Sequence, residues 1–227
     1  KADELFNETY SYLSSYSDTW IDHTSKFVKD ITKKLSLNSK SLVIEVASND
    51  GCLLKNFLRL KIPCIGIEPT KSTANIAKKA GIKVYNSFFN RNLSIKLYDK
   101  KLYPDLMIAN NVLAHVPDIN DFLSGFEYLI KDDGVITFEF PHLLKMIKEV
   151  QFDTIYHEHY SYLSLSTCKK MFMQNGLKIF DVEKISTHGG SLRVYVQKLS
   201  GKRRVSLRVN NILQEEELSG IFTNSFY

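Results

Sequence analysis

The sequence predicts a three-layer α/β fold, in which helices cover both faces of a mainly parallel, seven-stranded sheet. Short apolar runs rich in β-branched residues recur from about residue 41, and helical patterns separate most of them. The connection between the last two runs is too short for a parallel crossover. These two runs should therefore form an antiparallel hairpin at the edge of the sheet.

Each strand is predicted from an apolar run that a turn or a helical pattern interrupts. The expected strands cover about residues 42–47, 63–67, 82–85, 105–109, 134–140, 177–183 and 192–197. We expect residues 3–35 to be helical, with Asp18 capping a second helix, and a further helix over about residues 211–221. The predicted organisation is a helical segment (1–40), a sheet domain (41–199) and an extension or the start of a truncated further domain (200–227).

The composition is typical of a soluble globular protein, because 44% of the 227 residues are hydrophobic and 24% are charged. No apolar run approaches the roughly 20 residues of a membrane span, and the amino terminus lacks a signal-peptide core. The three scattered cysteines indicate reduced thiols. We therefore expect a cytoplasmic protein without a membrane partner. The net charge of +5 is spread along the chain without a nucleic-acid-binding motif, so no nucleic-acid partner is expected.

The first predicted strand ends in a polar turn, Glu45-Val-Ala-Ser-Asn-Asp-Gly51, and the second ends at Glu68. In doubly wound sheets, an acid about 20 residues after the first strand accepts hydrogen bonds from ribose hydroxyls. The turn lacks the G-x-G-x-x-G pattern that binds a pyrophosphate, which favours a ligand without phosphates, such as S-adenosylmethionine. Alternatively, Glu45 satisfies nearby backbone amides and Glu68 is an ordinary acid at a strand end.

The run from Phe152 to Tyr162 concentrates proton carriers at Tyr156, His157, Glu158 and His159. Such density indicates acid/base chemistry. A metal site is less favoured, because the two histidines stand at i and i+2, whereas the zincin helix needs them at i and i+4. We therefore expect no metal. The alternative is a polar loop whose groups only hydrogen-bond one another.

Six motifs together resemble those of the S-adenosylmethionine-dependent sugar C-methyltransferases, which act on nucleotide-linked 4-keto deoxysugars. The motifs are Ser14-Ser-Tyr-Ser-Asp18, Glu45-Val-Ala-Ser-Asn-Asp-Gly51, Gly66-Ile-Glu-Pro69, Ala109-Asn-Asn-Val-Leu-Ala-His-Val-Pro-Asp118, Phe152-Asp-Thr-Ile-Tyr-His-Glu-His159 and Thr187-His-Gly-Gly-Ser-Leu-Arg193. The resemblance implies a Rossmann-like class I methyltransferase fold, which the antiparallel ending also fits. Members of that family usually carry a zinc-binding domain before this region and a second Rossmann-like domain after it. The chain is therefore expected to be the central catalytic domain.

The resemblance also implies site residues. Those expected to contact S-adenosylmethionine, or the product S-adenosylhomocysteine, are Tyr10, Ser14, Ala47, Asn49, Gly51, Leu53, Glu68, Pro69, Ser87, Phe88, Asn110 and Asn111. His115 and the run from Tyr156 to His159 are expected around the nucleotide-sugar substrate. His188 and Arg193 are candidate substrate ligands, although Arg193 could instead be an exposed or snorkelled arginine.

A carbon next to a ketone must lose its proton before it can attack a methyl sulfonium. We expect His159 to be the base, because imidazole is partly neutral at cellular pH. Glu158 is expected to orient or tune His159, while Tyr156 or His115 donates to the enolate oxygen. Two alternatives stay open, namely methylation of another small acceptor and a non-catalytic subunit that only binds the cofactor.

Overall fold

Seven strands form one sheet in the computed structural model, which describes residues 13–186 and 189–223. The strands are β1 (Val43–Val46), β2 (Cys64–Ile67), β3 (Lys83–Tyr85), β4 (Leu106–Asn110), β5 (Val135–Pro141), β6 (Leu177–Ile185) and β7 (Ser191–Lys198). The α-helices are α1 (Asp18–Leu35), α2 (Leu54–Arg59), α3 (Lys71–Lys79), α4 (Arg91–Asp99), α5 (Ile119–Leu129), α6 (Leu143–Lys148), α7 (Leu165–Gln174) and α8 (Leu207–Ser219).

The strand order is β3-β2-β1-β4-β5-β7-β6. Neighbouring strands from β3 through β5 pair in parallel, whereas β7 is antiparallel to both β5 and β6. The chain moves outward from β1 to β3 and then returns to the other side of β1 with β4. The loops after β1 and β4 therefore leave in opposite directions, which opens a crevice at the carboxyl ends of these strands.

The predicted α/β fold and its antiparallel ending are confirmed, with β6 at the sheet edge. The prediction for the first helices is only partly correct. Helix α1 is capped by Ser17, whose hydroxyl accepts from the Trp20 N–H, and Asp18 is its first residue. The C-terminal helix begins at Leu207, earlier than expected. Residues 3–12 lie outside the described residues.

Side chains of the central strands alternate between the two faces of the sheet, and each face carries an apolar cluster. The cluster on one face includes Ile44, Met107, Ile136 and Phe138. The other includes Val43, Leu106, Ile108 and Val135, together with Phe27, Val28 and Ile31 of α1. Fully burying one such side chain contributes about 1.5 to 3 kcal/mol. Within the described ranges, no helix is long and apolar enough to cross a membrane.

Asp181 on the edge strand β6 ties two helices to the sheet. Its carboxylate accepts hydrogen bonds from Lys34 of α1, from Arg208 of α8 and from Ser206, which precedes α8. Burial alone would raise the pKa of Asp181, but these donors lower it to about 2. The ionised carboxylate is therefore the form that holds α1 and α8 in place.

We predict that Asp181→Asn lowers the free energy of unfolding at pH 7 by about 1 to 3 kcal/mol, because charged donors lose their partner. The folded-state pKa of about 2 lies below the roughly 3.9 of an unfolded aspartate. The difference between wild type and variant should thus be complete above about pH 4 and shrink as the pH falls toward 2. Urea denaturation at several pH values measures it.

The matched control is Asp132→Asn. The side chain of Asp132 is 91% exposed, and its ion pair with Lys198 should contribute less than about 1 kcal/mol. Equal destabilisation by the two substitutions would contradict the role given to Asp181.

Candidate active site

The loop after β1 has an unusual backbone conformation. Ala47, Asn49 and Gly51 have positive φ angles of 56°, 49° and 76°. The left-handed region costs a non-glycine residue such as alanine roughly 1 kcal/mol or more, and proteins keep such strain mainly at functional sites. A Cβ atom at Gly51 would also lie 2.2 Å from Cδ1 of Ile82. The side chain of Leu53, by contrast, is buried in the core, so only its backbone could face a ligand.

The segment that leads into α1 covers this loop. A short 3-10 turn begins at Ser14, whose N–H donates to Oδ1 of Asn49 over 3.1 Å. The N–H of Ser15 donates to Oδ2 of Asp50 over 3.3 Å. Ser14 therefore lies beside the predicted cofactor loop. Tyr10, which we expect to close over the same site, lies outside the described residues.

Glu68 follows β2, and its carboxylate is buried. One oxygen accepts from the N–H of Asn49 and the other from the N–H of Thr70, each over 2.8 Å. Burial raises the pKa of Glu68, although these hydrogen bonds partly oppose the change. A carboxylate offers about four lone-pair positions, so Glu68 can hold the loop and still accept from a ligand. Glu68 can therefore both hold the loop after β1 and accept hydrogen bonds from a ribose, so the two interpretations of this residue are compatible.

The loop after β3 is anchored to the same place. Nδ2 of Asn86 donates to the backbone oxygens of Glu68 and Pro69 over 2.8 and 2.7 Å. Phe89 is buried among aromatic rings of α5, whereas Ser87 and Phe88 are exposed. Ser87 and Phe88 are thus held at the surface near Glu68, where a ligand could reach them.

Asn110 ends β4, and both polar atoms of its side chain are buried without a hydrogen-bond partner among the described residues. An unsatisfied buried polar group costs about 1 to 3 kcal/mol, so its presence indicates a missing ligand or water. Asn111 turns the chain with a φ of 53° and donates its N–H to the backbone oxygen of Glu139 over 2.7 Å. The end of β4 is therefore fixed on β5 while the Asn110 amide is left available.

Glu45 was not among the predicted site residues, and the structure gives it a place beside them. It pairs with Ile108, so its side chain lies on the same face of the sheet as that of Asn110. Its Oε2 atom is buried and has no hydrogen-bond partner in the described ranges. Burial raises the pKa of Glu45 well above its ordinary value, and Asp50 and Glu68 raise it further. The β1 motif alone could not reveal this, because it does not show which acceptors are satisfied.

The structure brings the predicted proton carriers together. The ring of His159 lies 4.2 Å from that of Tyr156 and 4.7 Å from that of His115, centroid to centroid. The N–H of Tyr160 donates to the backbone oxygen of Ala114 over 2.8 Å, which joins this loop to the one after β4. His157, in contrast, is exposed.

Backbone carbonyls set the orientation of both histidines. Nδ1 of His159 lies 2.9 Å from the backbone oxygen of Thr154, and Nδ1 of His115 lies 2.9 Å from that of Glu158. A carbonyl oxygen can only accept, so each Nδ1 carries the proton in these bonds. The carbonyl of Thr154, rather than the Glu158 side chain, therefore orients the His159 ring at Nδ1, and the expected tuning of His159 by Glu158 stays a prediction. The neutral form of His159 thus has its lone pair on Nε2.

The pKa values of His115 and Tyr156, the two ring neighbours of His159, shift in opposite directions. Burial lowers the pKa of His115, as does the nearby His159. Burial raises the pKa of Tyr156, reinforced by the charge of Glu158. Near neutral pH, His115 is therefore mainly a neutral imidazole, and Tyr156 is a phenol that can donate a proton.

Arg193 is neither exposed nor snorkelled, which corrects one predicted alternative. It lies in β7 and is 6% exposed. Its Nη2 donates to Oε2 of Glu139 over 2.8 Å, and Nε2 of His23 lies 3.0 Å from the same oxygen. Burial alone would raise the pKa of Glu139, but His23 and Arg193 hold it below its ordinary value. Arg193 is therefore buried and hydrogen-bonded to Glu139, and His188 lies outside the described residues.

The cluster of His23, Glu139 and Arg193 was missed by sequence reasoning. The one available signal was an acid inside an apolar strand, Val135-Ile-Thr-Phe-Glu-Phe140. The described residues contain no group of three or more His, Cys, Asp or Glu side chains that could hold a metal ion.

The sequence of the chain matches a known protein family. Residues 20–182 match the model of the methyltransferase domain. The chain belongs to this methyltransferase family. Its members and relatives can therefore be compared with the site described above.

Two curated relatives show how far the similarity extends. C-methyltransferase NovU from Streptomyces niveus is 31% identical over 225 residues, which cover 99% of this chain and 53% of NovU. A ubiquinone biosynthesis O-methyltransferase from Rhodopseudomonas palustris is 29% identical over 118 residues, which cover 48% of this chain and 47% of that protein. The chain thus spans about half the length of the curated relatives it matches.

Solved structures confirm the fold. Magnesium protoporphyrin IX methyltransferase from Synechocystis PCC 6803, solved with bound S-adenosylmethionine, covers 86% of this chain and 88% of its own, with a TM-score of 0.56 and 13% identity. An S-adenosylmethionine-dependent methyltransferase from Clostridium acetobutylicum covers 80% and 92%, with a TM-score of 0.58 and 13% identity. The predicted class I methyltransferase fold is therefore confirmed.

We predict that Asn110→Leu leaves the free energy of unfolding of the ligand-free protein unchanged or raises it by up to about 2 kcal/mol. Leucine has a similar volume and removes two buried polar atoms that have no partner within residues 13–186 and 189–223. Urea denaturation checks this. The control Asn90→Ala should cost about 1 kcal/mol, because Asn90 caps α4 by accepting from the Leu93 N–H. A comparable loss for Asn110→Leu would mean that the protein itself satisfies Asn110.

Proposed function

We propose that this chain is an S-adenosylmethionine-dependent C-methyltransferase and that its acceptor is a nucleotide-linked keto-deoxysugar, methylated next to the ketone. The observation that carries the proposal is the contact of His159 with both His115 and Tyr156. Enolate formation needs a base and a donor for the enolate oxygen, whereas methylation of a hydroxyl needs only a base. The similarity to NovU, a C-methyltransferase, supports the same reaction type.

The cofactor supplies an electrophilic methyl group on a positively charged sulfur. The amide of Asn110 and Oε2 of Glu45, which have no partner among the described residues, and the left-handed backbone at Ala47 fit a polar ligand at the carboxyl ends of β1 and β4. Glu68 would accept from the ribose hydroxyls. The residues proposed to contact the cofactor are Tyr10, Ser14, Ala47, Asn49, Gly51, Leu53, Glu68, Pro69, Ser87, Phe88, Asn110 and Asn111.

His159 is the proposed base. Its Nδ1 proton is engaged by the carbonyl of Thr154, so the neutral ring carries its lone pair on Nε2. When Nε2 takes the carbon-bound proton, the same carbonyl stabilises the resulting imidazolium. The aromatic neighbours Tyr156 and His115 hold the ring from two sides.

Tyr156 is the proposed donor to the enolate oxygen. Its raised pKa keeps the phenol protonated, and its ring is 43% exposed and so accessible to a substrate. His115 is less suited to this role, because its Nδ1 proton is engaged by Glu158 and its lowered pKa disfavours a second proton. We therefore assign the donor role to Tyr156 and keep His115 as the second candidate base.

The sugar assignment rests on the motif resemblance and on NovU. We propose that His188 and Arg193 lie on the substrate side of the site. Arg193 donates hydrogen bonds to Glu139 and His23, so it would influence a substrate either through these two residues or after those bonds break. All three cysteines are buried and free, which favours a reducing compartment such as the cytoplasm. The second candidate function is methylation of an oxygen on a small acceptor, which the similarity to the ubiquinone O-methyltransferase favours.

We predict that Glu68→Ala weakens S-adenosylhomocysteine binding by roughly 10- to 150-fold, or about 1.5 to 3 kcal/mol, because ribose hydrogen bonds are lost. Titration calorimetry without added metal measures the affinity. Glu68 also holds the loop after β1, so an analogue of S-adenosylhomocysteine without ribose hydroxyls serves as the control. It should lose little affinity on the same substitution. Equal losses for both ligands would mean that Glu68 only shapes the loop.

We predict that His159→Asn slows proton removal by roughly 10²- to 10⁴-fold, the usual contribution of a positioned base. The protein, with S-adenosylhomocysteine bound, is incubated in heavy water with a nucleoside-diphosphate-linked 4-keto-6-deoxyhexose. Exchange of the hydrogen next to the ketone is followed by NMR, and no methylated product should form.

The adjacent exposed residue provides the matched control, since His157→Asn should exchange at nearly the wild-type rate. Cofactor affinity should be almost unchanged in both variants. Wild-type exchange in His159→Asn together with slow exchange in His115→Asn would reverse the assignment of the two histidines. Methylation of an oxygen acceptor without any carbon exchange would favour the second candidate function.

A further inference from the structure

Glu216 on α8 is a fully buried carboxylate that four donors satisfy. Its Oε1 accepts from Nε2 of His142 over 2.8 Å and from the N–H of Leu165 over 2.6 Å. Its Oε2 accepts from the N–H of Ser166 over 2.8 Å and from the Ser166 hydroxyl over 2.6 Å. Burial alone would raise the pKa of Glu216, but His142 and Ser166 hold it below its ordinary value. Glu216 is thus kept ionised.

These donors belong to the two ends of one chain segment, residues 142–166, which we call the catalytic segment. His142 follows β5, and Leu165 begins α7. The ends also meet directly, since His142 bridges Leu163 in parallel and the N–H of Leu143 donates to the Leu163 oxygen over 3.0 Å. The proposed base and donor lie between these ends.

Glu216 also completes the start of α7. The first amides of a helix have no partner within it and favour negative charge. The Ser164 hydroxyl accepts from the Thr167 N–H, and Glu216 accepts from the two amides that precede it. A side chain from a helix more than 40 residues away in sequence therefore caps α7. Glu216 also lies beyond the residues that match the methyltransferase domain.

Helix α6 anchors the first part of the catalytic segment through the buried side chains of Leu144 and Met146, whereas the stretch that follows lies largely at the surface. Phe152, Ile155 and His157 are exposed. Two hydrogen bonds join the segment to the loop after β4, from the Tyr160 N–H to the Ala114 oxygen and from Nδ1 of His115 to the Glu158 oxygen. The position of the His159 ring therefore depends strongly on how firmly the two ends are closed.

We propose that Glu216 is a positioning residue, which closes the catalytic segment at His142 and at the start of α7 and so sets the place of His159 and Tyr156. The inference rests on the proposed function, because that function gives His159 and Tyr156 their catalytic roles. Its structural part can be measured without a substrate. Helix α8 then helps to position the proposed catalytic residues, because its Glu216 side chain holds both ends of the catalytic segment.

The test compares Glu216→Gln with Glu215→Gln. An amide in place of the Glu216 carboxylate presents a donor to donors, whereas the side chain of the neighbouring Glu215 is 40% exposed and forms an ion pair with Lys184. Amide hydrogen exchange is followed by mass spectrometry in the catalytic segment and in residues 43–68. Histidine Cε1–Hε1 signals are recorded by NMR, and S-adenosylhomocysteine affinity is measured by calorimetry.

In Glu216→Gln, exchange in the catalytic segment should rise at least roughly tenfold, and the signals of His115 and His159 should shift. Exchange in residues 43–68 and affinity for S-adenosylhomocysteine should change less than about twofold, and Glu215→Gln should match wild type. An unchanged catalytic segment would overturn the proposal. So would equal acceleration throughout the sheet, since Glu216 would then support only general stability.

A second pair of variants keeps the test decisive if Glu216→Gln does not fold. His142→Leu removes one donor, whereas His142→Gln keeps an N–H near the position of Nε2. The first should loosen the catalytic segment and the second should restore it, and failure of the glutamine to restore it would count against the proposal.

Substrate hydrogen exchange then separates the two proposals. If wild type exchanges the hydrogen next to the ketone, Glu216→Gln should slow it at least tenfold with cofactor affinity retained. If wild type shows no such exchange, the proposed function fails, while the amide exchange and NMR results still decide the role of Glu216.

Discussion

Parallel pairing of β1, β2, β4 and β5 is the constraint on which the rest of the structure depends. It brings the carboxyl ends of these strands to one edge, so the loops that follow them must converge there. Glu68, Asn110 and His115 occupy this edge because each follows or ends such a strand. The crevice between β1 and β4 then follows from the strand order, without any special feature of the loops.

Several features of the candidate site lower the free energy of unfolding. Ala47 is held in a left-handed conformation, and the side chains of Glu45 and Asn110 contain buried atoms without partners in the described ranges. Each feature lowers stability by about 1 to 3 kcal/mol, and the burial of the two apolar clusters offsets it. Buried polar groups of this kind, at the edge of the sheet where ligands gather, fit a polar ligand such as the proposed cofactor.

The central strands β1, β2, β4 and β5 could be predicted from the sequence because each is a buried apolar run, and runs of that kind depend mainly on local residue type. The proximity of His115 and His159 was available only through the motif resemblance, since the two lie in different loops. The cluster of His23, Glu139 and Arg193 needed the antiparallel register of β5 and β7, which pairs Glu139 with Arg193. The role of Glu216 depends on the docking of a distant helix, and no spacing in the sequence encodes it.

Backbone carbonyls orient His115 and His159, and for His159, the proposed base, this has a consequence for catalysis. A carboxylate beside His159 would stabilise its protonated form and could leave the ring charged before the substrate arrives. The carbonyl of Thr154 fixes the same tautomer without placing a full negative charge on Nδ1, and the lone pair of the neutral ring lies on Nε2. Because Thr154 lies in the catalytic segment, the tautomer and position of His159 both depend on the conformation of that segment. If His159 is the base, as proposed, the contacts that close the segment therefore control its position.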